Sequence, residues 1–76
     1  MKEYIEFIAR HLVDHPELVV LDNQVREDKV IFTLHVAEQD VGKVIGRKGR
    51  TAQAMRILLA AVAAREGKRV ILEIAE

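Results

Sequence analysis

The sequence predicts an α+β fold of element order α-β-β-α-α-β, with a three-stranded mixed sheet covered on one face by three helices. Apolar residues recur at helical spacing in residues 2–14 and again in 51–65. Residues 29–36 instead alternate apolar and polar, the period of a half-buried strand. Two helical segments separate the second strand from the third, and a crossover of that kind makes those strands parallel. A short turn joins the first two strands, so they pair antiparallel. Three helices packed on one side then bury the inward face of the sheet.

Taken in order, residues 2–14 put Ile5, Ile8, Ala9 and Leu12 on one helical face, with Lys2, Glu6 and Arg10 away from it. His15-Pro16 closes this helix, because the residue before a proline is pushed out of the helical region. Residues 18–26 read as the first strand, interrupted at Asp22-Asn23, and Glu27-Asp28 is the turn. In the second strand Val30, Phe32, Leu34 and Val36 face inward, and Lys29, Thr33 and His35 outward. A short helix over residues 40–45 leads to a glycine loop. The stretch Thr51–Arg65 is rich in Ala, Leu and Met, a composition suited to a helix, and Gly67 caps it. Met55, Leu58, Leu59 and Val62 are expected to face the sheet. Residues 68–75 form the last strand, with Val70, Leu72 and Ile74 inward.

Seventy-six residues, half of them apolar, suit one small domain over 1–76. There is no cysteine to form a disulfide or a thiolate metal site. No apolar signal segment opens the chain, and the longest apolar run, Ile57–Ala64, is far short of the ~20 residues of a membrane span. A cytoplasmic location without a membrane partner is the expectation.

The net charge is zero, but its distribution is uneven. Residues 41–65 hold six cations (Lys43, Arg47, Lys48, Arg50, Arg56 and Arg65) and no acid. Residues 1–40 carry four Lys/Arg against nine Asp/Glu. Such asymmetry points to an anionic partner at one surface, and it disfavours a protein that coats nucleic acid all round. A merely solvated basic helix is the plainer alternative. The motif Gly46-Arg47-Lys48-Gly49 decides between them: glycine permits backbone conformations and close approaches that a Cβ forbids, and the bracketed cations suit phosphate. The amino end of the following helix adds N–H donors and a positive dipole.

Motif, element order and length together resemble a type II KH domain. The run Gly42-Lys-Val-Ile-Gly-Arg-Lys-Gly-Arg-Thr51 is similar to that of the small bacterial KhpA (YlqC) family of RNA-binding proteins. The resemblance implies that Gly46 and Gly49 admit the sugar–phosphate backbone of about four unpaired nucleotides while Arg47 and Lys48 meet phosphates. Lys43 and Arg50 would extend the basic rim, and Val44 and Ile45 would line a groove for bases. Many KH sequences have a large aliphatic residue where this chain has Ala52, which leaves base preference open. With no aromatic residue beside the loop, base stacking is not expected there. Modest affinity and strong salt dependence are.

The long helix carries a second expectation. Opposite its sheet-facing side lie Ile57, Ala60, Ala61 and Ala64, where a solvated helix would carry charge. Small residues let another helix approach closely, so this face is expected to form a homodimer contact; an Ala-rich surface chosen for helix propensity is the alternative. Two weak clamps would then act as one avid reader. The resemblance adds a possible heteromer with a larger KhpB (Jag/EloR)-like protein, and a role in post-transcriptional regulation or RNA chaperoning. A competing reading is a protein-interaction subunit in which RNA contact is secondary.

Catalysis is not expected, and neither is a cofactor. The G-x-x-x-x-G-K-[ST] and G-x-G-x-x-G spacings are absent. No carboxylate cluster accompanies the cations to support a metal-dependent nuclease. His11 and His15 have metal-like spacing but lack an obvious third ligand, and a surface role is the better reading.

Overall fold

The computed structural model describes residues 1–75. Helix α1 (Lys2–Leu12) leads through a 3₁₀ turn at Pro16–Leu18 to strands β1 (Val20–Arg26) and β2 (Lys29–His35). A second 3₁₀ turn, Glu38–Asp40, precedes the short helix α2 (Val41–Ile45). Helix α3 (Arg50–Arg65) and strand β3 (Arg69–Ile74) complete the order α-β-β-α-α-β. The sheet runs β1-β2-β3, antiparallel between β1 and β2 and parallel between β2 and β3. Both pairings follow from connection length, since a two-residue turn can only reverse a strand and the α2–α3 excursion returns it parallel.

The core lies between the sheet and α1, α2 and α3. Val30, Phe32 and Leu34 of β2 meet Leu72 of β3, Ile5 and Ala9 of α1, Val44 of α2, and Met55 and Leu59 of α3. Burying a large apolar side chain contributes about 1.5–3 kcal/mol. Such residues offset the chain entropy of so small a fold. Val70 and Ile74 pack on the edge of this cluster, so the inward set of β3 is as expected.

Several boundaries differ from the sequence reading. Helix α1 ends at Leu12 because Val13 turns extended, with φ −95° and ψ 159°, and drops into the core. That leaves Leu12 partly exposed. Asp22 and Asn23 do not interrupt β1, whose pairing runs unbroken from Val20↔His35 to Arg26↔Lys29. Most of β1 overhangs the helical layer, with Leu21 its one buried residue, so polar residues are tolerated there. The buried stripe of α3 is Ala52, Met55, Leu59 and Ala63. Leu58, expected to face the sheet, is 44% exposed, because close packing admits only a narrow stripe of small and large residues. Gly67 does cap α3: at φ 68° it donates to the Ala64 carbonyl while Lys68 donates to that of Ala63, a Schellman pair.

Candidate nucleic-acid interface

The glycine loop is built by three successive departures from helical geometry. Gly46 ends α2 at φ 80° and ψ 170°, a region open essentially to glycine alone. Its N–H still bonds back to the Gly42 carbonyl at 2.9 Å. Lys48 is left-handed at φ 56°, as is Gly49 at φ 73°, and the Gly49 N–H closes a tight turn on the Gly46 carbonyl at 3.0 Å. A left-handed lysine costs about 1–2 kcal/mol. The turn holds that strain and presents Lys48 outward.

The two glycines have different reasons to be there. A Cβ on Gly46 would lie 2.2 Å from the Thr51 Oγ1 and 2.8 Å from the Thr51 backbone nitrogen. The start of α3 therefore packs directly on Gly46. Around Gly49, beyond its chain neighbours, no atom of the described residues lies within 4 Å of where its Cβ would be, so its left-handed φ is what demands glycine. Open space at Gly49 is where a ligand backbone could approach.

The residues of the motif divide sharply. Arg47, Lys48 and Arg50 are exposed, and none has a carboxylate within ion-pair distance among the described residues. Ile45 is half-buried beside them. Val44, expected to line a groove, is fully buried in the core and offers no surface to a base. Its position on the inward side of the one-and-a-half turns of α2 leaves no other outcome. Ala52 likewise faces the core at 2% exposure, so its size shapes packing under the loop.

Lys43, expected on the basic rim, already has acidic partners within the fold. Its Nζ pairs with Asp14 and lies 3.5 Å from Asp40 Oδ1. The hydrogen bond to Asp14 is the main reason its pKa is raised above the ordinary lysine value. Lys43 therefore belongs mainly to an internal ion cluster, although it remains partly exposed. Sequence separation hid this: the acid-free stretch meets acids from elsewhere in the chain.

Asp40 is the residue that sequence reasoning missed. It is fully buried, and its Oδ2 accepts the His15 N–H at 3.0 Å. Oδ1 makes no hydrogen bond within the described residues and lies 3.5 Å from the Lys43 ammonium. Burial pushes the carboxyl up, but backbone donors at Asp14 and His15, with the charge of Lys43, outweigh that and leave its pKa lowered. The cluster ties the end of α1 to the start of α2, and so fixes the loop from below. The one clue in the sequence is Asp40 placed three residues before Lys43, at the point where acids cease.

On α3, Ile57 is 65% exposed, and Ala60, Ala61 and Ala64 are exposed with it. Tyr4 of α1 flanks a shallow depression shared with Ala61, Val62 and Arg65, which extends the apolar face onto a second helix. Tyr4 was not anticipated as part of it, because neither helix alone reveals how the two sit together. His11 donates to the Phe7 carbonyl at 2.8 Å and His15 pairs with Glu17 at 3.6 Å, so the two histidines act separately. Among the described residues no helix is long and apolar enough to cross a membrane.

A glycine-bracketed cationic turn joining two helices, carried on this mixed sheet, defines a KH domain of the second type. The chain belongs to the KhpA/KhpB KH-domain family, whose model matches residues 2–74. It is 46% identical over 74 residues to the RNA-binding protein KhpA of Clostridium perfringens, covering 97% of this chain and 99% of that protein. Similarity to the RNA-binding protein KhpA of Caldanaerobacter subterraneus is 47% over 74 residues, with the same coverage. To that of Chlamydia muridarum it is 46% over 76 residues, covering 100% and 97%. No solved structure matches the chain significantly.

Proposed function

We propose that this chain is a non-catalytic RNA-binding protein that clamps the backbone of single-stranded RNA at Gly46–Gly49. One observation carries the reading: among the described residues Arg47, Lys48 and Arg50 have no ion-pair partner, and they surround an open glycine on a turn anchored to the core. Arg47 and Lys48 meet phosphates, Gly49 admits the strand, and the first N–H groups of α3 add donors to it. Ile45 contributes the apolar rim. The names of the similar proteins support RNA as the ligand. A cytoplasmic role in post-transcriptional regulation or RNA chaperoning follows from that reading.

The exposed face of α3, with Ile57, Ala60, Ala61 and Ala64, holds a second copy of the chain, or a KhpB (Jag/EloR)-like protein in its place. Small side chains permit the close helix approach, and pairing two clamps raises avidity where one is weak. The same face supports the second reading, a partner-docking subunit for which RNA is incidental.

Reversing both loop charges, Arg47→Asp with Lys48→Asp, is the test. Affinity for single-stranded RNA should fall by more than about 100-fold at low salt, with the far-UV spectrum and thermal midpoint kept. Undiminished binding removes the clamp. In a second arm Ile57→Lys should give a soluble monomer by sedimentation; an unchanged mass removes the dimer contact.

A further inference from the structure

The register of the sheet assembles a second basic site at the opposite end of α3 from the loop. Arg26 lies directly opposite Lys29, and Lys29 directly opposite Arg69. Each neighbours a valine of the inward set (Val25, Val30 and Val70), so all three cations project from the face that no helix covers. None has a carboxylate within ion-pair distance among the described residues. Lys68 and Arg65 are exposed at the same end.

Like charges directly opposed across strands are destabilising. The sheet could have relieved them by alternation, and it does not. Its outward acids, Asp22 and Glu73, flank Thr33 in one row, two rows away from the cations. Between them lies the neutral row Gln24, Ile31 and Ile71. Glu27 and Asp28 in the hairpin turn and Glu66 after α3 border the basic row, but none reaches it as a salt bridge. Charge is thus segregated along the outer face, with repulsion concentrated at one end.

One cation of α3, Arg56, lies between this end of the helix and the loop. The sixteen residues of α3 span about 24 Å. Midway along them Arg56 donates through Nε and Nη2 to the Leu72 carbonyl, both at 3.2 Å. That bond fixes a guanidinium against the open edge of β3. The Gly67 turn then carries the chain to Arg69, the first residue of β3.

We infer that Arg26, Lys29 and Arg69 form a second phosphate-binding site, which takes the same RNA strand beyond the four-nucleotide clamp. This rests on the RNA-binding reading above. The repulsion within the row is relieved when backbone phosphates arrive, so the site contributes affinity only for strands long enough to reach it. It reads charge and not sequence, since phosphate contacts carry no base information.

The test uses unstructured oligouridylate of about four nucleotides, the length the clamp holds, and a strand three times longer. Wild type is compared with the triple variant Arg26→Gln, Lys29→Gln, Arg69→Gln, with the loop variant Arg47→Asp/Lys48→Asp, and with the charge-keeping triple Arg26→Lys, Lys29→Arg, Arg69→Lys. In the glutamine triple the long strand should bind about tenfold more weakly, and its salt slope should fall by about 2, at roughly 0.7 per lost contact. The short strand should bind as in wild type, and the charge-keeping triple should behave as wild type with both. A long strand unaffected by the glutamine triple, or both strands weakened equally, overturns the second site. A loop variant that binds the short strand like wild type overturns the clamp instead, and wild type binding neither strand overturns both.

Discussion

The ten residues from Val41 to Arg50 read as one basic unit, yet they fold as two regions of opposite character. Up to Ile45 the segment is an anchor: Val44 is fully buried and Lys43 is engaged by Asp14 and Asp40. From Gly46 onward it turns outward, and its cations have no acid partner among the described residues. The boundary is Gly46 itself, whose backbone and missing side chain belong to the anchor while its carbonyl closes the loop. A count of cations along a chain is therefore not a measure of charge available to a ligand. What matters is which of them the fold has already paired.

The comparison is broken most severely at the boundary. Gly46→Ala should lower stability by about 1–3 kcal/mol from its backbone region alone, with the collision against Thr51 added. Gly49→Ala, with open space around it, should cost about 1–2 kcal/mol from its left-handed backbone. Urea unfolding of the two variants measures the difference. Equal losses would show that Thr51 yields freely and that the anchor is softer than its packing implies.

A gentler substitution sharpens the division between the two regions. Lys48→Gln should reduce the salt slope of RNA binding by about 0.7 and leave the thermal midpoint in place. Lys43→Gln should do the reverse, lowering the midpoint while changing the slope less. Parallel titrations of the two variants with the same single-stranded RNA distinguish them. If Lys43→Gln matches Lys48→Gln in slope, Lys43 exchanges its acid partners for phosphate on binding.

The smallest effect is in acid. The carboxyl of Asp40 has a lowered pKa in the fold, so its contribution is fully present above the ordinary carboxylate value, about 4. That contribution is lost as pH falls through the lower folded value. Lys43, with its pKa raised, contributes below the ordinary lysine value and loses that only as pH rises through the raised one. The stability gap between wild type and Asp40→Asn should therefore hold from neutral pH to about 4 and close below it. A gap independent of pH across that range would show that Asp40 acts through shape and not charge.

Much of the fold was legible before the structure. The alternation of Val30, Phe32 and Leu34 and the Gly67 cap name their elements through local rules that depend on a few neighbouring residues. Errors arose where a nonlocal demand overrode a local rule. Val13 left the helix to fill the core, and Leu58 lost its place in a buried stripe made narrow by close packing. The site divided in the same way. The glycine turn at Gly46 and Gly49 is a local feature that the sequence marks, whereas the buried Asp40 is not, since its partners His15 and Asp14 lie far off in the chain.

By itself the sequence determined the element order, the position of the glycine turn and the lack of acids around it, because helix caps, strand alternation and glycine conformations are local properties of the backbone. Only the tertiary structure decided which cations remain unpaired, that Gly46 must make room for Thr51, and that Arg26, Lys29 and Arg69 fall into one row. Those outcomes depend on strand register and helix packing, which bring residues together across distances that no short window of sequence spans.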